Sequence, residues 1–164
     1  YGLSYTLERF LTMMELYEWQ SWPDLYPVSL HEIPEIEFFP VLETESLRLI
    51  ASPVKHMVPT IGLRFEFLKS QRTLAYSCDT EPCQAVVRLA HQADLLIHEA
   101  TGFTNGHSSA TQAGEIAAET SVNRLVLIHY ETYAGVKRQS LLDAAQKSFM
   151  GEVTLAEDFM RFEF

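Results

Sequence analysis

The stretch PCQAVVRLAHQADLLIHEATGF, residues 82–103, changes its rhythm partway along. PCQAVVRLAHQ reads as a helix, and DLLIHE, a short apolar run closed by polar residues, reads as a buried strand. The alternation continues downstream. SATQAGEIAAETS (109–121) reads as a helix, RLVLIHY (124–130) as a buried strand and GVKRQSLLDAAQKSF (135–149) as a helix. EVTLA (152–156) and FMRFEF (159–164) read as closing strands. Strand–helix alternation of this kind predicts a layered α/β (α+β layered) domain.

Upstream of Pro82 the pattern differs. VSLHEI (28–33), EIEFFPVLE (35–43), SLRLIASPV (46–54), GLRFEFL (62–68) and TLAYS (73–77) are short, rich in β-formers and partly alternating, and read as strands. At the N-terminus Ser4 is placed to cap a helix running to about Trp19, with Leu7, Phe10, Leu11, Met14 and Tyr17 on one face as core or interface. The prolines of QSWPDLYP (20–27) end that helix, and Trp19, Trp22 and Tyr26 read as packing residues. With no internal repeat, low-complexity run or linker, residues 1–164 read as one domain.

Composition narrows the function. A 47% hydrophobic, 21% charged chain has the makeup of a packed globular protein. No apolar run reaches the ~18 residues of a membrane span and no secretory signal pattern opens the chain, which makes the cytoplasm the default location. Cys78 and Cys83 stand in a C-x4-C spacing, and read as two reduced thiols rather than a disulfide or a zinc knuckle. Twelve Lys and Arg against 22 Asp and Glu give a formal charge of −10, which opposes unaided binding of nucleic acid. A bound metal would supply positive charge locally, so an anionic substrate stays admissible.

Position singles out the chemistry. Asp79 follows TLAYS closely, His98 and Glu99 end DLLIHE, and His129 follows RLVLI. In open α/β sheets ligands bind beyond the carboxyl ends of strands, so three strands deliver Asp, His-Glu and His to one rim. His56, between two strand-like runs, and His107, beside Gly106 where a helix begins, join the candidates. His31 and His91 have no such context and read as surface or packing residues. Imidazole and carboxylate are good zinc ligands, and one aspartate can bridge two metal ions held ~3.5–4 Å apart.

The order of motifs resembles the ribonuclease Z branch of the metallo-β-lactamase superfamily. PVKHMVPTIGLRFEF, around His56, resembles its third metal motif. AYSCDTEPC is similar to "Y-S-G-D-T", ADLLIHEATGF to "ADLLIHEAT" and GHSSATQAGEIA to "H-S-[ST]-x-x-x-A". RLVLIHY resembles the strand that ends in the last metal-binding histidine, and LAEDFMRFEF the closing strands. The resemblance covers about residues 50–163. It implies the C-terminal half of an αββα sandwich whose open half exposes apolar strands. It also implies a zinc-dependent hydrolase, a phosphodiesterase with a dinuclear metal-activated water and two zinc ions in the complete protein, other divalent metals being possible. His56, Asp79 and His129 would be metal ligands. His107 would be the general acid, oriented by Glu99, and His98 a structural neighbour. Ser108 would cap the following helix.

The chain departs from that pattern in places. H-x-H-x-D-H is absent, which implies a domain incomplete at its N-terminus and part of a longer protein. Cys78 stands where glycine is usual, acceptable for a small residue if φ is negative. Only LKSQR (68–72) occupies the place of the arm that grips transfer RNA, and ETYA (131–134) replaces "S-R-Y" after His129. The expected partner is an RNA 3′ end or a small phosphodiester or other ester, with a homodimer possible and no membrane. Two alternatives stand beside the RNA phosphodiesterase. One is a hydrolase of the same fold acting on an arylsulfate or small cyclic phosphodiester; the other is a non-catalytic subunit.

Overall fold

The computed structural model describes residues 1–133, 135 and 137–163. The chain forms two compact units, Tyr1–Glu35 and Ile36–Phe164. Among the described residues no helix is long and apolar enough to cross a membrane.

In the first unit, helix α1 spans Ser4–Leu16 and a 3-10 turn spans Trp19–Ser21. The N-cap is Leu3, not Ser4 as the sequence suggested: Leu3 has the extended backbone that a cap requires (φ −68, ψ 150), which puts Ser4 inside the first turn. The helix stops at Leu16, short of Trp19, and Glu18 turns left-handed at φ 48. No residue of α1 is buried. Leu7, Phe10 and Met14 are half-buried and Leu11 and Tyr17 exposed, so the stripe does not form a core. Trp22 and Tyr26 are likewise exposed rather than packed. VSLHEI forms no strand; its one ladder contact is an isolated bridge between Gly2 and Glu32.

The second unit is built on one seven-stranded sheet in simple sequence order. The strands are β1 (Phe39–Glu43), β2 (Leu47–Val54), β3 (Thr60–Phe67), β4 (Arg72–Tyr76), β5 (Leu95–Glu99), β6 (Arg124–Ile128) and β7 (Glu152–Leu155). β1 to β4 pair antiparallel through short connections, while β4 to β7 pair parallel. Parallel neighbours need a crossover, supplied by helices α2 (Gln84–Ala90), α3 (Ala110–Thr120) and α4 (Arg138–Gln146). EIEFFPVLE is strand only from Phe39, because Phe38 sits at φ 57. The helix expected from 135 begins at Arg138, and Val136 lies outside the described residues. Residues 159–163 form no closing strand, since Phe159 turns left-handed at φ 65 and is fully exposed; Phe164 lies outside the described residues.

The core lies between the sheet and its helices. Ala75, Leu96, Leu125, Leu127 and Leu155 face Val86 and Ala90 of α2, Ala113, Ile116 and Ala117 of α3, and Ala145 of α4. Burying each leucine contributes about 1.5–3 kcal/mol. α3 and α4 approach closely because Gly114 lacks a side chain: a Cβ there would lie 2.3 Å from the Ala145 carbonyl oxygen. Along β3, Ile61, Leu63, Phe65 and Phe67 are half-buried.

Strand direction places the site. β2 and β4 are both antiparallel to β3, and β4, β5 and β6 are mutually parallel. The carboxyl ends of β2, β4, β5 and β6 therefore share one edge of the sheet.

Candidate active site

Each candidate arrives at that edge by its own route. β2 ends at Val54, two residues before His56. β4 ends at Tyr76, and Ser77 and Cys78 lead to Asp79. Glu99 is the last residue of β5, and His129 follows β6 directly. His107 comes from the loop before α3. The helix is capped by Ser109 rather than Ser108: its side chain accepts the Gln112 amide while the Gln112 side chain reaches back, forming a capping box. Ser108 is buried and donates instead to the Thr80 carbonyl at 2.7 Å.

All five side chains meet. His129 Nδ1 lies 2.9 Å from Asp79 Oδ1, and His107 Nδ1 lies 2.9 Å from Glu99 Oε1. The His107 ring stands between the other two, 4.9 Å from that of His56 and 5.6 Å from that of His129. Two groups of potential ligand atoms each fall within 4.8 Å: His56, Asp79 and His107, and Glu99, His107 and His129. The site is graded in depth. Glu99 is fully buried, the His107 side chain is 13% exposed and that of His129 is 52% exposed.

Hydrogen bonds fix most of the proton positions. The Gly106 carbonyl can only accept, so His56 donates through Nδ1 at 2.7 Å, which leaves Nε2 as the ring nitrogen open to another partner. Glu99 accepts the Thr80 amide at 2.8 Å, the Thr101 amide at 3.1 Å and the His107 Nδ1–H. Burial pushes the Glu99 carboxyl up, but hydrogen bonds from the Thr80 amide, from Thr101 and from the Ser108 amide outweigh it and hold its pKa below the usual carboxylate value. A charged Glu99 leaves His107 Nε2 free at the centre of the cluster.

His98, one residue earlier on β5, faces the opposite side of the sheet, as strand alternation requires. It donates through Nδ1 to the Glu99 carbonyl at 2.8 Å, its Nε2 is buried without a partner, and burial holds its pKa down. His98 is therefore a neutral core residue. His31 and His91 lie exposed, His31 stacked on Tyr1 at 4.6 Å.

Cys78 corrects a sequence expectation. Its φ is +52, not negative, and His129 sits at φ +50. Non-glycine residues in this region are uncommon and costly, and two of them flank the Asp79–His129 contact. Both cysteines are free, and burial pushes the Cys78 thiol up to about 11.

The structure adds residues that carried no sequence assignment. Thr101 Oγ1 donates to the His129 carbonyl at 3.0 Å and lies 3.2 Å from His129 Nδ1. Thr80 presents its amide to Glu99, and Glu81 grips Gly106. Thr80 and Thr101 are the last letters of the stretches matched to "Y-S-G-D-T" and "ADLLIHEAT", while Glu81 had only its nearness to a strand end as a signal. A cleft of about 570 Å³ opens beside His129, lined in part by Tyr130, Glu131, Arg138, Glu157 and Asp158. Arg138 donates to Glu157 at 2.6 Å, which leaves the cleft acidic. Ala134, in the segment after His129, lies outside the described residues.

The donor chemistry suits a divalent ion. Zinc takes imidazole and carboxylate ligands at roughly 2.0–2.2 Å, which places neighbouring ligand atoms about 3.4 Å apart in a tetrahedral shell. The Asp79–His129 separation of 2.9 Å needs only a small opening to accept an ion.

Residues 4–130 match the sequence family described as "Beta-lactamase superfamily domain", a span that runs through both compact units. The chain is 39% identical over 107 residues to the ribonuclease Z of Thermobifida fusca, covering 59% of this chain and 33% of that protein. It is 40% identical over 105 residues to the ribonuclease Z of Bacillus licheniformis, covering 58% and 34%. The chain thus spans about a third of the length of the curated relatives it matches. Among solved structures it is similar to the metallo-beta-lactamase fold protein YhfI of Bacillus subtilis, with a TM-score of 0.68 at 23% identity over 87% of this chain and 59% of that one. It is also similar to human tRNase Z, short form, with a TM-score of 0.64 at 24% identity over 98% and 65%. These likenesses show the metallo-β-lactamase fold.

Proposed function

This chain belongs to the beta-lactamase superfamily, and on that premise we propose that it carries the strand-end part of a zinc-dependent phosphodiesterase centre of ribonuclease Z type. The observation that supports this most is the meeting of His56, Asp79, Glu99, His107 and His129, from separate loops and strand ends, at one edge of the sheet. In this reading residues 1–164 serve one metallo-β-lactamase-like domain.

His56, Asp79 and His129 are the metal ligands. His56 offers Nε2, because its Nδ1–H is committed to Gly106. Asp79 has two oxygens and can bridge two ions. Three side chains leave most of the roughly four positions around each of two zinc ions to further donors, water or substrate. Bound zinc supplies a water whose pKa is lowered toward ~7, the nucleophile of such centres. Glu99, held charged, accepts the His107 Nδ1–H and orients the ring, so that Nε2 is the nitrogen left to give a proton to the departing oxygen.

The relatives' name points to RNA as the substrate. Two observations favour a second reading, a smaller ester such as an arylsulfate or cyclic phosphodiester. The β3–β4 connection is a tight turn with no arm, and the cleft beside His129 is lined by Glu131, Glu157 and Asp158. The test uses the full natural protein loaded with zinc, offered an RNA with a 3′ extension and bis(p-nitrophenyl) phosphate. Chelator-sensitive cleavage of both is expected. Hydrolysis of the small diester alone selects the second reading, and hydrolysis of neither by the fully loaded protein makes it a non-catalytic subunit.

A further inference from the structure

We propose that Glu81 is a positioning residue for this centre: its carboxylate holds Gly106 by its N–H, and the carbonyl of the same residue sets the ring of His56. The inference rests on the reading of His56 as a metal ligand.

The two oxygens of Glu81 have separate tasks. Oε1 accepts the Gly106 amide at 3.0 Å, and Oε2 pairs with the Lys55 ammonium. The Glu81 backbone is fastened to the same place, its amide donating to the Lys55 carbonyl at 2.7 Å. Thr80 Oγ1 accepts the Lys55 amide at 3.1 Å and donates to the Glu81 carbonyl at 2.7 Å. Lys55, Thr80 and Glu81 therefore form one hydrogen-bonded block.

Gly106 is held against this block from both sides. Glu81 takes its N–H and His56 Nδ1–H takes its C=O, the latter at 2.7 Å. The fit is close: Gly106 has φ +81, and a Cβ there would lie 2.9 Å from both His56 Nδ1 and Met57 Cγ. The peptide that positions His56 also leads directly into His107, so one carboxylate ties the loop of a proposed ligand to the loop of the proposed acid. Partners that orient a ligating histidine typically matter by 10–100-fold in metal affinity. The competing account is an ordinary ion pair with Lys55, whose side chain is 67% exposed, and exposed pairs contribute little.

The two accounts separate by substitution in the full natural protein. Zinc affinity is measured by competition with a chelating dye. The His56 ring is followed in the metal-free protein by its Nδ1–H signal and ring ¹⁵N shifts. Glu81→Ala is expected to weaken zinc binding by roughly 10-fold or more and to lose the Nδ1–H signal. Glu81→Gln keeps an acceptor for Gly106 and is expected to rescue both, within about threefold of wild type. Lys55→Met removes the ion pair alone and should do as little. Wild-type zinc affinity and His56 signals in Glu81→Ala would overturn the proposal. So would a Lys55→Met loss equal to that of Glu81→Ala. Should Glu81→Ala fail to fold, the other two variants decide: near-wild-type behaviour in both supports the proposal, and a 10-fold loss in both overturns it. If wild type takes up no zinc while Glu81→Ala still disturbs the His56 ring, the positioning stands and the metal-centre reading falls.

Discussion

Five strands, β2, β4, β5, β6 and β7, run toward one edge of the sheet, while β1 and β3 run away from it, and the two edges are built differently. The edge where β1 and β3 end has short connections, residues 44–46 after β1 and 68–71 after β3. Thr44 donates its amide to Leu47, Leu68 donates to Ser46, and Asp94 secures the start of β4. The other edge carries longer segments after β2, β4, β5 and β6. Its hydrogen bonds join the candidate side chains and the loops that carry them, such as His129 with Asp79 and Gly106 with Glu81. The same contrast holds within one strand. His98 and Glu99 are adjacent and both buried, yet alternation sends one into the helix-covered core and the other to the rim. Polar residues become chemistry here by the direction of the strand that delivers them.

Substitutions at the two edges should therefore behave differently. The largest effect is expected at the rim, where His107→Ala should lower turnover by roughly 10²–10⁴-fold with metal content retained. Loss of metal in that variant would make His107 a ligand instead, consistent with its place in both donor groups. At the far edge, Asp94 accepts Arg72 at 2.7 Å and the Thr73 amide at 2.8 Å. Asp94→Ala should cost about 1–2 kcal/mol of stability in a denaturant titration and leave metal affinity unchanged. Burial pushes the Asp94 carboxyl up, but the Thr73 amide and Arg72 outweigh it and hold its pKa below the usual value. Its contribution is thus fully present above the ordinary aspartate pKa of about 3.9 and lost as pH falls through the lower folded value. The stability gap between wild type and variant should close in acid; a gap unchanged down to about pH 2 would show that the carboxylate charge does not matter there.

Much of the rim was legible because apolar runs such as DLLI and RLVLI end abruptly in polar residues, and strand ends are where ligands bind. What was not legible depended on backbone angles. Nothing in the letters says that Cys78 and His129 adopt positive φ, or that Phe38 and Phe159 break the strands expected around them. The cap of α3 is written in the sequence, since Ser109 and Gln112 spell the S-x-x-Q signature that Ser108 does not. The α1 stripe has helical spacing and yet holds no fully buried residue, because periodicity identifies a face and not what covers it.

The most direct test is the metal content of the full natural protein, measured by elemental analysis after incubation with excess zinc and gel filtration, beside Asp79→Ala. About two zinc ions per chain in wild type, with at least one lost in the variant, is the predicted result. Wild type near zero, or an Asp79→Ala variant holding the same number, would contradict the assignment of this rim as a metal centre.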